Sequence, residues 1–205
     1  MTVKKNKTTL KREKQRDDLI DVAKRMIAEN GLQSLKAREL ADAIGVALGG
    51  IYNIIQDLDE LILLVSAETL SDLERVLEQA LKKAAPKTAQ DELIVLGRAY
   101  HHFARENYNL WRTLFDHKPP EHHLSETVST QRLRPFQPVV ASLAGIMPHS
   151  TAEETALFAQ TIFSCVHGMV LIGLESRDVG VRKAALDEQI ALLISTVCAG
   201  LTTTA

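Results

Sequence analysis

Aromatic residues are scarce in this chain, 4% of 205 residues, and there are only ten glycines and six prolines. That shortage argues against an aromatic-rich sandwich or barrel, whose strands are packed with Tyr, Phe, Trp and β-branched residues. Cysteine is nearly absent. Cys165 and Cys198 both lie in apolar surroundings late in the chain, and two such thiols make neither a disulfide framework nor a zinc pattern. Buried thiols in a reducing compartment are the expectation. Long apolar runs are lacking too. The most apolar stretch, "FSCVHGMVLIGL", is expected to be too short and too interrupted to span a bilayer. The basic start is followed by "TTLKREKQRDD" rather than by an apolar run, so no secretory leader is expected. A cytoplasmic protein with no membrane association is the corresponding expectation.

What is present points to helices. Hydrophobic residues are 45% and charged residues 24%, ordinary proportions for a globular chain that buries a sizeable core. Leu, Ala and Ile carry most of the apolar content, a composition that favours helix. The net charge of −2 is unevenly spread. Residues 1–16 hold seven Lys and Arg against one acid, Glu13, a net +6 that leaves −8 over the rest. A basic arm on an acidic body is the asymmetry of nucleic-acid binders, although a solvated tail without a partner has the same composition.

Periodicity predicts an all-α chain without repeats. After a flexible arm over 1–16, Leu19, Val22, Ala23, Met26 and Ile27 line one face of a first helix that starts near Asp17 and stops at Asn30-Gly31. Short helices follow over Lys36–Ile44 and Leu48–Ile54, joined by a Gly45-Val46 turn. A long helix, capped by Asp57 or Asp59 and striped by Leu61, Val65, Leu73, Val76, Leu77 and Leu81, runs to Pro86. Helices are expected over 88–106 and 110–115, then a loop, "DHKPPEHH". Beyond it lies a helical stretch over 123–147 broken by Pro135 and Pro138. The last two helices, about 152–175 and 180–203, are apolar around much of their circumference. Burial on more than one side follows, either in a homodimer or as a fully internal pair.

Three short helices with a glycine turn between the second and third have the form of a helix-turn-helix. Here the chain resembles a known family. Residues 17–65, through "Arg38-Glu-Leu-Ala", "Ala43-Ile-Gly-Val", "Gly49-Gly-Ile-Tyr52" and "Asp59-Glu-Leu" at gapless spacing, resemble the DNA-binding domain of TetR/AcrR-type transcriptional regulators. "LWRTLFD" at 110–116 and "CVHGMVLIGL" at 165–174 resemble the ligand-binding half of a subgroup with a His-Gly (WHG-type) signature in its eighth helix. The resemblance implies about nine helices in all. It divides the chain into a DNA-binding domain at 17–56 and a ligand-binding and dimerisation domain at 57–205, with a homodimer through the last two helices. It also implies a small apolar effector and no enzymatic activity. Where the family often carries Ser-Lys this chain has Ala47-Leu48, and Lys36, Gly50, Ile55 and Leu58 also depart from common choices. Ser34 is then placed to cap the second helix.

The segment "GVALGGIYNII" carries no charge, yet phosphate contacts supply affinity and base contacts supply choice. Lys36, Arg38 and the arm can neutralise phosphates. Gly49 and Gly50 allow close backbone approach, with amides at a helix N-terminus facing a phosphate. Tyr52 is a phosphate donor, or alternatively a core aromatic. Asn53 can bond a phosphate or an adenine edge. Ala47 and Leu48 suit thymine methyl groups, unless Leu48 packs inward. The expected partner is double-stranded DNA carrying a palindrome, read through methyl contacts and shape.

For the effector, Tyr100, Phe103, Trp111, Phe115, Phe163, His167 and Met169 are the pocket candidates, with His167 as polar anchor or else as a hydrogen-bonded core histidine. His101-His102, His117 and His122-His123 tempt a metal reading. None forms an i,i+4 pair around an acid, and neighbours on a helix point about 100° apart. No metal and no cofactor are expected. Two rival readings stay open: a helical small-molecule-binding or interaction protein that has lost sequence-specific DNA binding, and a metal- or His-dependent helical enzyme.

Overall fold

The first helix begins ten residues ahead of the start expected at Asp17. In a computed structural model, which describes residues 7–123, 134–175 and 185–203, α1 spans Lys7–Asn30. The flexible arm expected over 1–16 is therefore helical from Lys7 onward; residues 1–6 lie outside the described part. The physical reason is that 7–16 contains no Gly or Pro and is rich in Lys, Arg, Glu and Gln, all good helix formers that need no buried face. Arg16 adds an anchor, its guanidinium 2.6 Å from Glu60.

The described residues hold nine α-helices and no strand: α1, α2 (Ala37–Ile44), α3 (Leu48–Ile51), α4 (Leu58–Ala84), α5 (Ala89–Glu106), α6 (Tyr108–Asp116), α7 (Gln137–Ile146), α8 (Ala152–Glu175) and α9 (Leu186–Thr203). Stops fall where the backbone demands them. Gly31 and Gly45 take positive φ, 79° and 70°, a conformation that glycine adopts at little cost. Some starts are capped by side chains. The Thr88 hydroxyl accepts from the Asp91 amide. Thr151 and Glu154 form a reciprocal capping box. Ser34 does not cap α2: its hydroxyl lies 2.7 Å from the Gly31 carbonyl and 3.1 Å from that of Met26, and so donates backward into the preceding turn.

Two compact units result. One is Met1–Leu70 with Asn107–Gln131, the other Ser71–Glu106 with Arg132–Ala205. The boundary expected at 56/57 does not coincide with this division, because α6 returns to the first unit. There the Asn109 amide donates to the Ala28 carbonyl at 2.9 Å, and Trp111 is fully buried. The first unit's core joins Leu19, Ala23 and Ile27 of α1 to Leu40, Ala41, Ile51, Ile54, Ile55, Leu61 and Val65.

In the second unit α5 packs against α9 at Gly97, where an added Cβ would sit 2.7 Å from Ile190 Cγ2. Gly173 of α8 meets the flexible end of Leu186 in the same way, at 2.6 Å. Two sequence expectations change in this unit. Cys165 is exposed rather than buried, whereas burial of Cys198 pushes its thiol pKa up. And α8, 24 residues long, does have the length and composition to cross a membrane, a criterion that a core helix also meets. Gly97→Ala is expected to cost about 1–3 kcal/mol by overpacking against a stiff β-branched methyl. Gly173→Ala should cost less because Leu186 can rotate away. Thermal melts of both variants check the order; equal losses would contradict it.

Candidate nucleic-acid interface and ligand cavity

The turn sorts its residues by face. Gly45 in the left-handed region lets the Val46 amide reach the Ala41 carbonyl at 3.0 Å, closing α2. The chain then enters α3, whose Ile51 is fully buried and is followed by buried Ile54 and Ile55. Burying these three leaves their neighbours outside. Leu48 is 45% exposed and Tyr52 52% exposed, so neither is a core residue. Lys36, Arg38, Ala47, Gly49 and Asn53 are exposed as well, and Gly50 is intermediate. The eight residues expected at the DNA interface thus lie on α2, α3 and the turns beside them.

Three details refine that surface. First, α3 has only four residues, the turn ending at Ile51 rather than Ile54. So short a helix carries little dipole, and the Gly50 amide is already held by the Ala47 carbonyl at 2.7 Å. A phosphate on the helix terminus loses its main support. Second, the glycines differ. Gly49 has open space where a Cβ would be, whereas a Cβ on Gly50 would lie 3.3 Å from Val46 Cβ. Gly50 serves the turn's own packing. Third, Lys36 pairs with Glu39 at 3.3 Å, both largely exposed. Such a pair is worth under about 1 kcal/mol and yields easily to a phosphate.

Behind this surface α4 starts at a well-made cap. The Asp57 carboxylate accepts from the Glu60 amide at 2.8 Å, and Glu60 accepts from the Gln56 amide at 2.6 Å. The buried side chains of His117 and His123 bond Asp59 (2.7 Å) and Asp57 (2.9 Å). The Glu60 N–H, chiefly, holds the Asp57 carboxyl below its ordinary range; burial opposes this and His123 adds to it.

The second unit contains an almost wholly apolar cavity of about 40 Å³, its walls including Leu73 and Leu77 of α4, Tyr100 of α5, Phe136, and Phe163 of α8. Of the seven pocket candidates, Tyr100 and Phe163 line it, their rings edge to face at 5.7 Å. His167 stands beside them, sharing a 2.7 Å hydrogen bond between Nδ1 and the Tyr100 hydroxyl. Phe103 is buried on α5 and Met169 half-buried on α8, neither in the cavity wall. Trp111 and Phe115 fall in the other unit, their rings edge to face at 5.7 Å. Aromatic character alone suggests the pocket for them, but α6 packs on α1. Phe136 was missed, and its signal was the Pro135 that forces a turn there.

Comparison with known proteins agrees with this architecture. Residues 93–197, half the chain, match the family described as tetracyclin repressor-like, C-terminal domain. The chain belongs to the tetracycline-repressor-like family of transcriptional regulators. The match is made at the level of the domain and assigns no His-Gly subgroup. Over 181 residues the chain is 24% identical to the HTH-type transcriptional regulator BetI of Brucella suis biovar 1, covering 88% of this chain and 91% of that one. Over 105 residues it is 24% identical to the HTH-type transcriptional regulator Mb1846 of Mycobacterium bovis, covering 51% of this chain and 45% of that relative, under half its length. The solved structure of RolR with its ligand resorcinol shares the fold at a TM-score of 0.65 and 19% identity, covering 95% of this chain and 94% of that one.

Asp57→Ala is expected to lower stability by about 1 kcal/mol at neutral pH, the usual worth of a helix cap, while Asp57→Asn keeps most of it. Because the folded carboxyl is depressed, its contribution is present above about pH 4 and is lost as pH falls through the folded value. The gap between wild type and Asp57→Ala should therefore close in acid, as urea melts at several pH values would show. A gap independent of pH would contradict the assignment.

Proposed function

We propose that the chain is a homodimeric, ligand-responsive DNA-binding regulator of the cytoplasm, a repressor released from a palindromic operator by a small apolar effector. One observation carries the DNA-binding reading. Burial of Ile51, Ile54 and Ile55 turns Ala47, Leu48, Tyr52 and Asn53 outward together on a glycine-turned helix pair, with Lys36 and Arg38 on the flank. An apolar pair at the centre with hydroxyl and amide groups beside it suits thymine methyls and phosphates. Exposed Lys11, Arg12 and Lys14 on the forward extension of α1 add cations that the reading turn lacks.

The dimer reading is supported by apolar residues left uncovered on the last two helices, Leu157 and Ile172 on α8 and Leu192 on α9, each about half exposed or more. The effector reading is supported by the cavity. A void of about 150 Å³ is needed to admit a ring the size of benzene, so this one, at about 40 Å³, must open on binding. Resorcinol, the ligand in the RolR structure, is a ring of that size. α4 supplies Leu73 and Leu77 to the cavity and Leu61 and Val65 to the helix-turn-helix core. An effector that wedges the cavity open displaces α4, and it favours release because it binds the released conformation more tightly.

Selection from a random DNA pool, followed by affinity measurements across salt concentrations, tests the reading. A palindrome should be enriched, with a log–log salt slope near −0.9 per neutralised phosphate. Lys36→Gln with Arg38→Gln should flatten that slope by up to about four such steps, two from each protomer. Leu48→Ala should leave the slope unchanged and relax base choice. Failure of the folded protein to enrich any motif would overturn the reading.

A further inference from the structure

Two adjacent histidines converge on one carboxylate in the second unit. His101 Nδ1 lies 2.8 Å from Asp187 Oδ1, and His102 Nε2 lies 2.8 Å from Asp187 Oδ2. Successive side chains on a helix normally diverge by about 100°. Here both rings on α5 turn toward the first turn of α9, their centroids 5.2 Å apart. The carboxylate and the two ring nitrogens offer three ligand atoms, all within 4.8 Å of one another. His101 is 3% exposed, and His102 and Asp187 are 45% and 36% exposed. The trio therefore has a fixed inner wall and an outer side open to water.

We propose that His101, His102 and Asp187 form a binding site for a divalent transition-metal ion of the zinc type, which clips α5 to α9. Two imidazoles and one carboxylate are the donor set such ions accept, whereas Mg²⁺ and Ca²⁺ demand oxygen ligands. A tetrahedral ion at about 2.0–2.1 Å from its ligands holds them roughly 3.3 Å apart. One carboxylate oxygen serves as ligand, and with the three ligand atoms already within 4.8 Å of one another the separations need to change by no more than about 1.5 Å. Exposed His102 and the edge of Asp187 supply that movement and leave a fourth position for water. The exchange also balances in protons. A carboxylate only accepts, so the ring nitrogen facing it carries the N–H, and a ring presents a lone pair to the ion there by holding its proton on the other nitrogen.

Arg98 is the group that opposes a cation there. It stands one turn earlier on α5, and its Nε donates to the Asp187 carbonyl at 3.3 Å. That contact draws the guanidinium to the backbone of α9. The packing around the site is stiff enough to hold ligands in place, since α5 and α9 are in direct contact at Gly97. The other histidine group, Asp57 with His122 and His123, is a poorer candidate because Asp57 is committed to the cap of α4.

The inference is independent of DNA binding and is tested on the full chain with Zn²⁺ alone. Competition against a chromophoric chelator should show one Zn²⁺ per chain at this site. His102→Ala and Asp187→Asn, both at partly exposed positions, should weaken uptake roughly tenfold or more, while His122→Ala should leave it unchanged. Zn²⁺ should raise the melting temperature of the wild type and not that of His102→Ala, and millimolar Mg²⁺ should not displace it. No uptake by the wild type, or uptake undiminished in His102→Ala and Asp187→Asn, would overturn the assignment.

Discussion

Burial of three isoleucines governs the surface proposed to read DNA. Ile51, Ile54 and Ile55 have to enter the core formed with Leu19, Ala23 and Ile27, and each is worth roughly 1.5–3 kcal/mol when fully withdrawn from water. A turn that satisfies all three has no freedom left for Leu48, Tyr52 and Asn53, which are set outward. Gly45 makes this possible because its left-handed backbone closes α2 within one residue. The same constraint explains how a segment without charge can belong to a nucleic-acid surface: its apolar residues are divided between a core and an exposed edge, and the cations stand on neighbouring elements.

A second dependence runs along α4. Its start is held by Asp57 and Glu60, by Arg16 from α1, and by His117 and His123. Its far half supplies Leu73 and Leu77 to the cavity wall. In the proposed mechanism a helix with a firmly capped beginning moves as a rod rather than fraying, so a displacement at one end is not lost within the first turn. The small cavity gives an effector work to do on that rod, because binding requires the cavity to widen.

Local chemistry was legible in the sequence wherever it is dictated by backbone geometry. Gly31, Gly45 and Pro86 marked three helix ends, and the helix-turn-helix was readable from its small residues and spacing. What was hidden depends on partners distant in sequence. The helical form of 7–16 carries no apolar stripe to announce it, and its anchor, Glu60, lies 44 residues away. Ser34 had two ways to spend its hydroxyl, and the turn behind it won. Trp111 and Phe115 looked like pocket aromatics, but aromatic character does not say which core an α-helix joins. The pairing of His101 and His102 with Asp187 spans 85 residues or more, so spacing rules for metal ligands could not find it. Family membership does not predict it either, whereas the fold makes it visible at once.

The central claim is that exposed apolar side chains on an uncharged turn choose the DNA sequence. The most direct measurement is a double cycle on a selected operator, pairing wild type and Leu48→Ala with thymine and uracil at each T position. Loss of one thymine methyl should weaken wild-type binding several-fold, in keeping with roughly 0.8 kcal/mol per buried carbon. At that position Leu48→Ala should remove the preference for thymine. If uracil is tolerated without loss at every position by the wild-type protein, methyl recognition by this turn is wrong and the account fails at its centre.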